Sequence, residues 1–249
     1  ALAGEKSCIN LGFHFGATND NIGTIERILE GKTGISPYDV KGIKVFMGSS
    51  TGNMLVDNGC SLDELFSIKE KPVLVHCEDE QTIRENLQKA IEEYGDDIPF
   101  SEHENIRSRR ACIKSSIKAL EKAIANNTRL VLCHISTKEE VEMARAAKCN
   151  NTGVVAETSC NYLWFSSEDY DRMGSRLKCN PAVKGPADRA ALREALANGG
   201  IDTIGSDHAP HLLSEKVHTH MYHPDFRPSS RVSLYLSQSL RQRTFLLQE

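Results

Sequence analysis

The sequence predicts an α/β protein built on a parallel sheet, and three observations carry that expectation. Short β-rich runs alternate with longer amphipathic stretches along most of the chain. The short runs are apolar throughout, the pattern of parallel strands covered on both faces. Several of them end in a histidine, an aspartate or a lysine, at the strand ends where such folds gather their chemistry. Six strand–helix units fit either an open doubly wound sheet or most of a (β/α)8 barrel.

In chain order, residues 10–17 read as a strand and 21–30 as a helix. Val40–Phe46 is the next strand, followed by a Gly/Ser-rich loop at 48–53 and a helix around 62–68. A third strand at 72–76 precedes a long helical region containing Glu80–Tyr94 and 104–126. The fourth strand, 129–134, is backed by a helix at 138–147. The fifth, 154–158, leads to a helix at 186–198, and the sixth spans 202–206.

Composition narrows the class without naming a function. A chain of 249 residues, 39% apolar and 26% charged, has the balance of an ordinary globular protein able to bury a substantial core. A formal net charge of −4 argues against nucleic acid as the main partner, because phosphate binding needs a basic face. No apolar run approaches the roughly 18 residues that span a bilayer, and residues 1–6 lack the pattern of a secretory signal. Eight cysteines are scattered with no C-x-x-C pair, several inside apolar runs, and are expected as reduced thiols in the cytoplasm.

The polar residues single out one end of the sheet. Lys44 interrupts Gly42-Ile43-Lys44-Val45-Phe46; His76 closes Val73-Leu74-Val75; His134 closes Leu130-Val131-Leu132-Cys133; Asp207 follows Thr203-Ile204-Gly205-Ser206. Taken singly, a histidine at a strand end is commonly structural, and an aspartate there can cap a helix. A lysine inside an apolar strand is costly unless it finds a partner or loses its charge. Four such groups at one end of successive strands resemble a metal shell, since imidazole and carboxylate suit zinc-like ions.

These residues also carry a family resemblance. Asp207-His208-Ala209-Pro210-His211, His76-Cys77-Glu78-Asp79, His134-Ile135-Ser136-Thr137 and the run from Lys44 to Asn53 resemble, in that order, the motifs of dihydroorotases in the amidohydrolase superfamily. The resemblance spans residues 3–216. It implies a TIM-type barrel with two zinc ions, in which Lys44 is carboxylated and bridges them. His76 and His134 match ligands of the second metal, and Asp207 matches a ligand of the first that also shuttles the proton. His211 and Asn180 match contacts to the substrate. The implied reaction interconverts dihydroorotate and N-carbamoyl-L-aspartate in pyrimidine biosynthesis: two metals activate a water, which opens the ring amide. A small-molecule substrate is implied, with no nucleic-acid or membrane partner and commonly a homo-oligomer.

Three departures qualify the match. The family's first strand carries His-x-His, and nothing like it precedes the first residue; the only His-x-His, at 218–220, follows the last strand and reads as coincidence. The barrel is therefore expected without its first two strands and its terminal β-rich part. At Asn161 and Tyr162 relatives often carry paired histidines. Residues 217–249 show no β pattern and are expected as a divergent or frame-shifted tail behind a partial barrel at 1–216. Alternative readings are a hydantoinase or allantoinase, or a non-catalytic dihydroorotase homologue or fragment acting as a scaffold. A nucleotide-binding doubly wound domain lacks its glycine motif, because no G-x-G-x-x-G follows any strand.

Overall fold

A computed structural model of the chain describes residue 5 and residues 11–49, 54–150 and 153–208. Its strands are β1 (Phe13–Gly16), β2 (Val40–Phe46), β3 (Val73–His76), β4 (Leu130–Leu132), β5 (Val154–Ser159) and β6 (Thr203–Gly205). They lie side by side in chain order, each parallel to the next. That order separates the two architectures the sequence left open. A doubly wound sheet reverses its strand order at a switch point, whereas unbroken order with right-handed crossovers places every connecting helix on one face. The six described strands form an open half-barrel, short of a closed eight-stranded ring.

The helices follow the apolar pattern closely. They are α1 (Ile22–Leu29), α2 (Gly59–Ser67), α3 (Glu80–Tyr94), α4 (His103–Ile106), α5 (Arg109–Asn126), α6 (Lys138–Lys148), α7 (Cys160–Trp164), α8 (Tyr170–Met173) and α9 (Pro186–Ala197). Asp79 caps α3 by accepting from the Thr82 amide, and Thr137 and Glu140 form a reciprocal capping box on α6. Pro186 opens α9, where its missing N–H costs nothing.

One face of the sheet is the core and the other is open. Ile43, Val45, Val73, Val75, Leu130, Leu132 and Ala156 are fully buried and pack with Ile25, Leu65, Phe66, Ala119, Val141, Ala144 and Leu192 from the helices. On the opposite face Leu74, Val131 and Val155 are only half-buried. Phe13 and Ile204, at the two ends of the described sheet, are exposed. Among the described residues, then, cover on both faces is not found: the inner face is the concave side of the half-barrel.

Three predicted elements change bounds for physical reasons. The helix expected at 104–126 breaks at Arg107–Ser108, where Arg107 leaves helical geometry (φ −92°, ψ 65°) and the Asn86 amide caps the carbonyls of Asn105 and Ile106. The fourth strand ends at Leu132, because His134 takes a left-handed backbone (φ 42°) that no strand accommodates. The first strand shortens to Phe13–Gly16, with an irregular register between Phe13 and His14. All seven described cysteines are free. His211, residues 50–53, the His-x-His at 218–220 and the tail at 217–249 lie outside the described residues.

Candidate functional site

The barrel geometry brings the C-terminal ends of neighbouring strands to one rim, and register aligns their inward side chains. Phe46 of β2 lies opposite His76 of β3, and Lys44 opposite Leu74. Lys44 therefore faces the open concave side, half-buried, with its ammonium 5.1 Å from the Phe46 ring centroid, a cation–π contact. Burial is the main cause of the lowered pKa of His14, His76 and His134, and the Lys44 charge adds to it across the rim; at Asp207 burial raises the pKa and Lys44 opposes the rise.

His76 and His134 are the pair that meets. Nδ1 of His76 lies 3.2 Å from Nε2 of His134, the rings edge to face and both side chains buried. Desolvation by burial lowers both pKa values, that of His134 well below the ordinary range, so both imidazoles are neutral near pH 7. Two nitrogens held 2.0–2.1 Å from one tetrahedral zinc stand about 3.3 Å apart. The observed separation fits that donor set.

Behind His76 is a buried charge pair. Nε2 of His76 is 2.9 Å from Oε2 of Glu78, and the same oxygen accepts from Nη1 of Arg107. Burial works against ionising Glu78, but the Arg107 guanidinium and the His76 hydrogen bond outweigh it and hold the carboxyl at about 2. Arg107 also donates from Nη2 to the Ser49 carbonyl, 2.6 Å away, while the Ser49 amide donates to Glu80 Oε2. Ser49, three residues after β2, is thereby tied to the carboxylate behind His76.

His134 is placed by its own loop. Glu140 Oε2 accepts from the amides of Ser136 and Thr137 and from the Thr137 hydroxyl, and Oε1 accepts from Ser116. The His134 backbone is one of three left-handed non-glycine positions among the described residues; the others are Asn127, an ordinary helix cap, and Asp207 (φ 46°). Backbone of this kind costs about 1–3 kcal/mol and tends to collect at functional sites. Here it marks two of the predicted ligands.

Asp207 stands beyond the end of β6, solvent-accessible at the rim yet crowded by protein atoms on most sides. Desolvation, only partly offset by Lys44 and reinforced by Glu157, pushes its carboxyl up to about 6. Asn180 is buried, in the loop before α9. Its Oδ1 finds no hydrogen-bond partner among the described residues, and neither do Ser159 Oγ, Asn161 Oδ1, Glu78 Oε1 and His134 Nδ1. Buried polar atoms are rarely left so. Asn180 lies in the loop before α9, Ser159 closes β5 and Asn161 stands in the first turn of α7 beside it.

Of the four predicted metal-binding groups, the structure brings His76 and His134 within ligand distance of each other. Lys44 and Asp207 are felt at the same rim, but no group of three His, Cys, Asp or Glu side chains converges among the described residues. Sequence reasoning gave no role to Glu78, Arg107 or Glu157. Glu78 was findable, two residues beyond a strand-end histidine. Glu157 was findable from strand alternation, since it shares the inner face with Val155. Arg107 gave no signal, because its contact to Glu78 spans 29 residues.

Comparison with known proteins finds relatives by sequence and by fold. The chain is 32% identical over 225 residues to dihydroorotase of Methanosarcina acetivorans, covering 86% of this chain and 45% of that one. It is 36% identical over 152 residues to dihydroorotase of Bacillus subtilis, covering 59% and 33%. The chain belongs to the dihydroorotase-like amidohydrolases. It spans less than half the length of these curated relatives. Among solved structures it superposes on an L-hydantoinase (dihydropyrimidinase) from Arthrobacter aurescens with a TM-score of 0.74 at 26% identity, over 84% of this chain and 45% of that one. A D-hydantoinase shares the fold with a TM-score of 0.76 at 22% identity, over 97% and 54%. No family model matches the chain. Among the described residues, no helix is long and apolar enough to cross a membrane.

Proposed function

We propose that this dihydroorotase-like chain contributes the second-metal side of a zinc site that interconverts dihydroorotate and N-carbamoyl-L-aspartate. The observation that carries the reading is the pair of neutral, buried imidazole nitrogens 3.2 Å apart at adjacent strand ends. His76 and His134 would hold one metal. Lys44, carboxylated on its Nζ, and Asp207 complete the shell that the family resemblance implies. Bound zinc supplies Lewis acidity toward the amide carbonyl and toward water.

The chain's own residues then divide the remaining work. In the hydrolytic direction water adds to the ring carbonyl, the C–N bond breaks, and the proton lost by water ends on the leaving nitrogen. Asp207, accessible at the rim, is the group that carries that proton. Asn180 and His211 contact the substrate, and the unpartnered Oδ1 of Asn180 supports its share of that role. The substrate is a small cyclic amide; dihydroorotate is favoured over hydantoin and allantoin by the sequence relatives, whereas the solved hydantoinases support the shared barrel.

A second reading, a non-catalytic scaffold, rests on the absence of any three-ligand group among the described residues. The deciding experiment is metal analysis of the purified chain together with turnover of dihydroorotate, hydantoin and allantoin. Bound zinc with a preference for dihydroorotate supports the proposal. Faster turnover of hydantoin or allantoin refutes the substrate, and no metal with no turnover favours the scaffold.

A further inference from the structure

The Glu78–Arg107 pair lies outside the set of ligands and substrate contacts assigned above, and it is a buried ion pair in contact with His76. Glu78 is fully buried and Arg107 nearly so. A buried ion pair is an expensive way to stabilise a fold, because the desolvation of both charges offsets much of their attraction. An apolar pair of similar size would serve packing as well. The geometry shows what the charges do instead.

An ionised carboxylate can only accept hydrogen bonds. With Arg107 donating to Oε2, Glu78 is held as the anion, and the His76 Nε2 at 2.9 Å must then carry the proton. That leaves the lone pair of His76 on Nδ1, the nitrogen turned toward His134. We propose that Glu78 and Arg107 are positioning residues: they fix the tautomer and ring orientation of His76 so that Nδ1 is presented as a metal ligand beside Nε2 of His134. Gly48 and Ser49 close this arrangement from the β2 side, since the second guanidinium nitrogen of Arg107 holds the Ser49 carbonyl. The ring orientation of His76 and the position of Ser49 therefore share one anchor.

The inference rests on the zinc reading above for its functional meaning, but its core is testable in metal-free protein. Two measurements on the full chain are compared between wild type and Glu78→Gln. The first is the tautomer of His76, from long-range 15N–1H correlation spectra of the metal-free protein. The second is zinc affinity, from competition with a chromophoric chelator. Wild type should show the proton on Nε2. In Glu78→Gln the amide can also donate to Nε2, so the tautomers should mix, and zinc should bind about 10–100-fold more weakly, the usual cost of losing such an outer partner.

A His76 proton on Nδ1 in wild type overturns the inference. So does a Glu78→Gln protein whose tautomer is unchanged and whose zinc affinity stays within about twofold of wild type, less than the outer-partner range. If wild type shows the Nε2 tautomer but binds no zinc, the zinc reading fails while the orienting role stands. Should Glu78→Gln fail to fold, Arg107→Lys carries the comparison. It keeps the buried charges balanced, but one ammonium cannot replace the planar fork that reaches both Glu78 and Ser49. Its expected loss is about tenfold in zinc affinity, at the lower end of the same range, and unchanged affinity with an unchanged tautomer overturns the proposal.

Discussion

Gly48→Ala is the substitution through which packing at the strand ends can be made to report on the site. A Cβ at position 48 would fall 2.5 Å from the Glu78 carbonyl oxygen, 2.8 Å from Glu78 Cβ and 3.0 Å from the Glu78 carbonyl carbon. Ordinary contact begins at 3.4 Å, so the closest approach is short by about 0.9 Å. Two of the three atoms are backbone, at the junction between β3 and α3, and no flexible side-chain end is available to swing away. The strain must be relieved by moving Glu78 or the chain at Gly48. Overpacking of this kind costs about 1–3 kcal/mol. For a domain of this size that lowers the melting temperature by about 2–12 °C.

The same displacement moves the carboxylate that sits 2.9 Å from His76 Nε2, so zinc affinity should fall along with stability. Thermal melts followed by circular dichroism give the first quantity and chelator competition the second. Gly23→Ala is the matched control: it lies in α1 with nothing within 4 Å of its added Cβ. It should leave stability unchanged or raise it by up to about 1 kcal/mol. A Gly48→Ala protein that melts with wild type and binds zinc as tightly would refute the close-approach account of this glycine.

Three further predictions follow from the same structure. Thr137→Ala removes the hydroxyl half of the capping box on α6 and should cost about 1 kcal/mol, within a range of 0.5–2, in urea unfolding; no measurable change would mean that Glu140 alone holds that helix start. Glu78 has a folded pKa of about 2, depressed below its ordinary 4.5, so its contribution to stability is complete above pH 4.5 and lost as pH falls toward 2. The stability gap between wild type and Glu78→Gln should therefore narrow over that window, and a gap that widens on acidification would contradict the sign. Asp207→Asn should abolish nearly all turnover in an active preparation while the melting temperature stays close to wild type; near-normal rates would remove Asp207 from the proton step.

Much of this was legible because the relevant signals are local. Six apolar runs became six strands, and the residues closing them, His76, His134 and Asp207, stand at one rim because parallel strands all end on the same side. The choice between a doubly wound sheet and a barrel was not legible in the runs themselves, since strand order is a property of pairing between distant segments. The break at Arg107 was hidden for a similar reason. Helical periodicity runs through it, whereas the contacts made at the break, Arg107 to Glu78 and the Ser49 carbonyl and Asn86 to the carbonyls of Asn105 and Ile106, join residues distant in sequence. Gly48 read as a turn residue, yet its φ is not in the left-handed region; what requires glycine there is the approach of the Glu78 backbone. The lysine in β2 looked buried, but the concave face leaves it half-exposed and lying over Phe46.

The central claim is that His76 and His134 are two ligands of one metal ion. Crystals of the full chain grown with zinc, with diffraction recorded on both sides of the zinc absorption edge, test it without recourse to activity. The account predicts an anomalous peak between His76 Nδ1 and His134 Nε2, about 2.0–2.1 Å from each. Zinc bound elsewhere on the chain, or coordinated through His76 Nε2 in place of Glu78, would contradict it.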